Sequence, residues 1–126
     1  MSSFKYNYPF YSRFNESHRV LDKYPDRVPI ICEKSRSHNN NNQLPNIDKN
    51  KYLVPFDLTI GQFIYVIRKR LNLRAEEAIF LFVSNTIPPS SSIIGQVYHN
   101  HKDPDGFLYI QYSKENVFGC GGPQCV

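Results

Sequence analysis

Between Lys51 and Leu71 the chain passes from one hydrophobic rhythm to another. Tyr52, Leu53 and Val54 favour a strand, and Pro55, which has no ladder donor, stops that strand or marks a sheet edge. Ile60, Phe63, Ile64, Ile67 and Leu71 then recur at helical spacing, with Tyr65, Arg68 and Lys69 on the remaining faces. Thr59 and Gln62 supply a capping box, in which each side chain satisfies a backbone N–H of the first turn. A helix is predicted from there, and its apolar face must lie across a sheet.

The same reading extends in both directions. Phe4, Tyr6 and Tyr8 lead to Pro9 as a short helix or an extended arm, and Phe14, Val20, Leu21 and Tyr24 predict a two-sided helix over Phe10 to Lys23, stopped by Pro25. In Arg27 to Glu33, Val28, Ile30 and Cys32 share one face and Pro29 and Ile31 the other. This is a strand touched on both sides, with Pro29 placing it near an edge or end. Ser35 to Asn46 contains four consecutive asparagines and little that is apolar, so it is expected to be a mobile loop. Ala78 to Val83 is an apolar run of strand length, expected to be a buried central strand. Ser90, Ser91 and Ser92 offer N-caps to a short helix carrying Ile93, Ile94, Val97 and Tyr98. Asp103-Pro104-Asp105-Gly106 is a turn before a last strand, Phe107 to Tyr112.

The predicted order is helix, helix, strand, strand, helix, strand, short helix, strand. Four strands with one long helix packed across them make an α+β roll of the β-grasp kind, to which the first two helices are an addition. A chain of 126 residues holds one such domain, and nine Phe with nine Tyr can fill a modest core. No apolar run is long enough to span a bilayer and the N-terminus lacks a signal-peptide pattern, so the chain reads as intracellular. The net charge of +4 and pI near 9.0 favour acidic partners without choosing among them.

Two chemistries are weak on residue grounds. Cys32 with His18, His99 and His101 suggests a cysteine nucleophile, but Cys32 sits in an apolar strand pattern, where cysteine more often behaves as an inert small hydrophobe. Arg68-Lys69-Arg70 suggests a nucleic-acid surface, but a short basic run is usually a solvated helix face and no binding signature accompanies it. The expectation is a protein that is not an enzyme, binds no nucleic acid and uses neither metal nor cofactor. Cys32, Cys120 and Cys125 have no metal-like spacing and cannot all pair within one chain.

Several segments, in order, resemble one family: Tyr8-Pro9-Phe10, Arg27-Val28-Pro29-Ile30-Ile31-Cys32-Glu33-Lys34, Lys51-Tyr52-Leu53-Val54-Pro55, Gly61 through Arg70, and Asp105-Gly106-Phe107-Leu108-Tyr109. From about Phe4 to Gly119 the chain is similar to the autophagy-related protein 8 family, which includes the GABARAP and microtubule-associated light chain 3 proteins. The resemblance implies a ubiquitin-like β-grasp over 26–119 with two N-terminal helices in 1–25, an Asn-rich loop at 35–46 and a tail, 120–126, removed on processing. It implies that a cysteine protease cuts the Gly119-Cys120 bond. E1-like and E2-like enzymes then join Gly119 to phosphatidylethanolamine on autophagosomal membranes. Gly121-Gly122 offers a second end, although cleavage after Gly122 must break a bond to Pro123. The protein is expected in the cytoplasm when unconjugated, and on autophagosome and vesicle membranes and in the vacuole or lysosome when lipidated. An unlipidated peptide-binding adaptor in vesicle traffic is the alternative.

The resemblance also implies a groove for cargo-receptor motifs made of an aromatic, two variable residues and a branched aliphatic. Its aromatic pocket falls on Glu16, Val20, Pro29 and Ile31 with Lys51, Leu53 and Phe107. Its aliphatic pocket falls on Tyr52, Val54 and Pro55 with Leu58, Phe63 and Val66. Arg27, Lys49, Lys51 and Arg68 are expected to meet acidic residues flanking the motif. Phe56 stands where the family commonly has a smaller residue, and is expected to extend the aliphatic pocket or make another contact. A monomer in solution is expected.

Overall fold

The computed structural model describes residues 2–35 and 44–114. The elements follow the predicted order: α1 Ser3–Asn7, α2 Phe10–Lys23, β1 Arg27–Lys34, β2 Lys51–Pro55, α3 Ile60–Leu71, β3 Phe80–Phe82, α4 Ile94–His101 and β4 Leu108–Ser113. They form one four-stranded sheet in the order β2-β1-β4-β3, with β1 and β4 parallel in the centre and antiparallel strands outside. Gly119, Gly122, the tail and most of the Asn-rich segment lie outside the described residues.

Helix α3 obeys its sequence closely. Thr59 caps it, accepting from the Gln62 N–H at 3.1 Å while Gln62 returns its side-chain oxygen to the Thr59 N–H at 2.9 Å. Ile60, Phe63, Ile67 and Leu71 are buried against the sheet with Val28, Ile30, Tyr52 and Val54, while Ile64 is partly buried at the margin. Asn72, with φ 56°, ends it in the left-handed conformation that frees the last carbonyls for capping bonds.

Four expectations are corrected or narrowed. The Ala78–Val83 run is not central: β3 covers only Phe80–Phe82 and forms the sheet edge beside β4. Its apolar character reports cover on its faces, since Ile79, Leu81 and Val83 join the main core. It does not report two strand neighbours. Conversely, Pro29 marks the end of a strand ladder and not a sheet edge, since β1 is internal and its pairing with β4 starts just after Pro29. The bonds Cys32 N–H to Asn50 O and Phe56 N–H to Asp26 O put the even residues of β1 in the ladder with β2. The missing proline donor therefore faces β4, where pairing begins only at Ile30.

The serines before α4 do not cap it either: Ile93 is its N-cap, without a side-chain bond. Instead, Ser92 and Ser90 offer their carbonyls to the Ile60 and Gly61 N–H groups at the start of α3, both at 2.8 Å. Leu58 and Phe56 return theirs to Ile94 and Gly95. The two helix N-termini thus satisfy each other's orphan donors. The fourth correction concerns α2, whose buried residues are Arg13 and Ser17. Phe10, Tyr11 and Phe14 remain substantially exposed.

The end of the Ser35–Asn46 segment is structural where a mobile loop was expected. Leu44 is buried in the main core and Pro45 accepts the Tyr112 hydroxyl at 2.7 Å, so this stretch closes one end of the sheet.

Phe56 makes its other contact. Its ring covers Gly95, where a Cβ would stand 2.3 Å from ring carbons, and packs beside His99 with centroids 5.6 Å apart. An opposite-sign pair of results follows. Gly95→Ala alone should destabilise the domain by about 1–2 kcal/mol, because the ring must leave its seat. In a Phe56→Ala background the same change should stabilise by up to about 1 kcal/mol, the usual advantage of alanine over glycine within a helix. Urea unfolding of the four proteins measures the coupling, and equal effects in both backgrounds would refute the contact.

Candidate functional site

Strand β2 is an edge. Its Tyr52 and Val54 pair with Ile30 and Val28 in the ladder, so the backbone groups of Lys51 and Leu53 point away from β1. Such a row of outward N–H and C=O groups is a template for an added strand. Pro55 closes the row with no donor.

The register also divides the side chains between the two faces of the sheet. Pro29 lies opposite Leu53 and Ile31 opposite Lys51, so these four share the face away from α3. Ile31 clusters there with Phe4 and Phe107, and Phe4 meets Phe107 edge-on at 5.4 Å. Glu16 on α2 binds the Lys51 ammonium at 2.8 Å, and Val20 lies one turn further along α2, half-buried. All seven residues expected for the aromatic pocket therefore belong to this face or to the helix flanking it.

Lys51 stands at the mouth, its ammonium 5.3 Å from the Phe4 ring centroid and 5.9 Å from that of Tyr8. Phe4 and Tyr8 are additions the residue reading did not assign. Their signal was the alternation of aromatics before Pro9, which gives no hint of what they cover.

On the opposite face the aliphatic set splits. Leu58 and Val66 line an open, mainly apolar depression of about 550 Å³ with Thr59, Gln62, Tyr65 and Ser90. Pro55 is exposed at the strand end. Tyr52, Val54 and Phe63 lie beneath, in the main core, with the Tyr52 ring set edge-on to Phe63 at 5.5 Å. Burial pushes the Tyr52 phenol up to about 12, and its hydroxyl has no hydrogen-bond partner among the described residues. These three residues can support the depression from below.

The basic residues also separate. Arg27 and Lys49 are exposed, beside the rings of Tyr24 and Tyr52 respectively. The Arg68 guanidinium donates to the carbonyls of Glu77 at 2.6 Å and Arg74 at 2.9 Å, holding the segment after α3. Arg70 pairs with Asp48 at 3.2 Å. The basic run is thus partly engaged in the domain's own structure.

The nucleophile constellation is not assembled. Cys32 is fully buried, and that burial, followed by the Glu33 charge, pushes its thiol strongly up and away from the reactive thiolate. His18 stacks on Phe14, His99 packs beside Phe56, and His101 bonds the Ser84 hydroxyl at 3.1 Å. Among the described residues no helix is long and apolar enough to cross a membrane.

Residues 12–119 match the family model described as autophagy protein Atg8, ubiquitin-like. The chain is 56% identical over 118 residues to autophagy-related protein 8 of Candida glabrata, covering 94% of this chain and 97% of the relative. It is 55% identical to autophagy-related protein 8a of Arabidopsis thaliana, covering 94% and 93%. Among solved structures it resembles Trypanosoma brucei ATG8 with a TM-score of 0.82 and 44% identity, over 90% of this chain and 94% of that one. Plasmodium falciparum Atg8, solved with a peptide of that organism's Atg3, gives a TM-score of 0.80 and 35% identity over 91% and 98%.

Proposed function

Because the chain belongs to the Atg8 family of ubiquitin-like autophagy proteins, we propose that it is a lipid-conjugated modifier whose β2 edge receives short peptide motifs. The observation that carries the peptide half is the free edge of β2, with the Phe4, Ile31 and Phe107 cluster on one face of the sheet and the open depression at Leu58 and Val66 on the other. In an added strand, successive side chains alternate between faces. Two anchors three residues apart therefore point to opposite faces. The aromatic of an aromatic-x-x-aliphatic motif enters beside Ile31, Leu53 and Phe107, and the aliphatic enters beside Leu58 and Val66. Exposed Lys49, Lys51 and Arg27 suit acidic residues flanking the motif, mainly through association rate and salt dependence.

The conjugating half rests on the family. The Plasmodium relative was solved with an Atg3 peptide, which supports an E2-like partner here alongside cargo receptors; the free β2 edge is the template such a peptide would use. We assign Gly119 as the residue exposed by a processing cysteine protease, activated by an E1-like enzyme and joined to phosphatidylethanolamine. Each buried methylene of that lipid contributes roughly 0.8 kcal/mol, and two chains anchor where one is marginal.

Leu53 tests the groove. Leu53→Ala should weaken binding of an aromatic-x-x-aliphatic peptide about tenfold, the effect of removing one anchor contact at the centre of an interface. Its half-exposed position predicts a small change in thermal stability. Titration calorimetry with such a peptide, alongside a thermal melt, reads both. Unchanged affinity in a folded variant removes the pocket from that face.

A further inference from the structure

We propose that Asp105 is a positioning residue for the aromatic side of the groove, holding α2 and Phe107 in fixed relation; this rests on the peptide-binding reading above. Asp105 is fully buried, and every part of it is engaged. Its Oδ1 accepts the Phe107 N–H at 2.9 Å. Its Oδ2 accepts the Arg13 Nε–H at 3.0 Å and the Tyr109 hydroxyl at 2.5 Å. Its carbonyl accepts the Ser17 hydroxyl at 2.5 Å. One residue thereby grips two turns of α2 and Phe107, whose ring belongs to the buried Phe4, Ile31 and Phe107 cluster on the aromatic side of the proposed groove.

The burial of α2 shows why this governs placement. The side chains it buries are Arg13 and Ser17, with its apolar residues at best half-buried. Apolar packing is non-directional and tolerates sliding, whereas a buried ion pair with several hydrogen bonds is satisfied in one geometry. Such a pair is weak evidence for net stability and better suited to fixing an arrangement. Glu16 follows Arg13 by three residues and Val20 follows Ser17 by three, so α2 and the recess wall it carries move together. A further bond ties the Arg13 guanidinium to the Tyr8 carbonyl at 3.2 Å, including the arm beside Lys51 in the same network.

The test compares two synthetic peptides that share an aliphatic anchor and acidic flank, one with tryptophan and one with alanine at the aromatic position. Calorimetry gives the ratio of their affinities for the wild-type chain, Asp105→Asn and Ser17→Ala. The ratio should fall about tenfold in Asp105→Asn and about threefold in Ser17→Ala, while binding of the alanine peptide stays within about twofold. If Asp105→Asn does not fold, Ser17→Ala, which removes one hydroxyl, decides alone. A folded variant that keeps the wild-type ratio, whatever its melting temperature, reduces Asp105 to a structural role and overturns the inference. A wild-type chain that does not distinguish the two peptides instead sinks the groove assignment, and the inference with it.

Discussion

A Gly119→Ala chain recovered from starved cells should carry no phosphatidylethanolamine and should still bind an aromatic-x-x-aliphatic peptide with wild-type affinity. Glycine at the conjugated end has no Cβ, so it threads a narrow active site and leaves its carbonyl open to attack. The proposed peptide groove is built on β2, Lys51–Pro55, which contains none of those atoms. Intact mass of the soluble and membrane fractions reads the result directly. The wild-type chain should give a soluble form ending at Gly119 and a membrane form heavier by one phosphatidylethanolamine. A membrane-bound Gly119→Ala form of that mass would overturn the assignment and turn attention to Gly122. Wild-type chain intact through Val126 in both fractions would make the unlipidated adaptor the better account, since the same groove serves it.

What the chain discloses about itself depends on how local the determining physics is. The Thr59–Gln62 capping box and the Ile60, Phe63, Ile67, Leu71 stripe are legible because they act within a few residues of each other. The division of β1 into two faces is legible for the same reason. Strand neighbours are not local: Pro29 suggested an edge or an end, and the choice between them turns on which partner its missing donor faces, fixed by Ile30 meeting Leu108. The Ala78–Val83 run likewise reports cover, from which strand position does not follow.

Helix α2 shows the sharper limit. Hydrophobic periodicity finds the helix, read as two-sided, and misses its buried stripe, because an arginine and a serine are turned inward by a carboxylate and a carbonyl at Asp105. That partnership spans 92 residues and leaves no mark on either segment's apolar pattern. The groove was expected from resemblance, and the register is compatible with it: anchors of odd spacing call for contacts on opposite faces of one edge strand. Arg68 was assigned to the groove on charge; what charge could not disclose is that its planar fork also donates to two backbone carbonyls beside α3.

Gly106→Ala should cost about 3 kcal/mol or more of stability, placing it among the severe single changes with an identifiable cause. Two causes coincide. Gly106 has φ +94°, which side chains on an L-residue rarely tolerate. A Cβ there would also stand 2.2 Å from the Ser17 Oγ and 3.0 Å from the Ser17 Cβ. Neither side can yield freely, since Ser17 is fully buried on α2 and the Gly106 carbonyl holds the Tyr98 hydroxyl at 2.7 Å. For a domain of this size the melting temperature should fall by roughly 10 °C or more. Adding Ser17→Ala to Gly106→Ala separates the causes: it removes the closer overlap and leaves the backbone strain and the 3.0 Å contact. Partial recovery is therefore expected, amounting to about 1 kcal/mol, the scale of relieving one overpacked contact. Full recovery would mean that the left-handed backbone costs nothing. No recovery would mean that α2 has already moved off the turn, in which case the aromatic side of the proposed groove should be disturbed even in the folded protein.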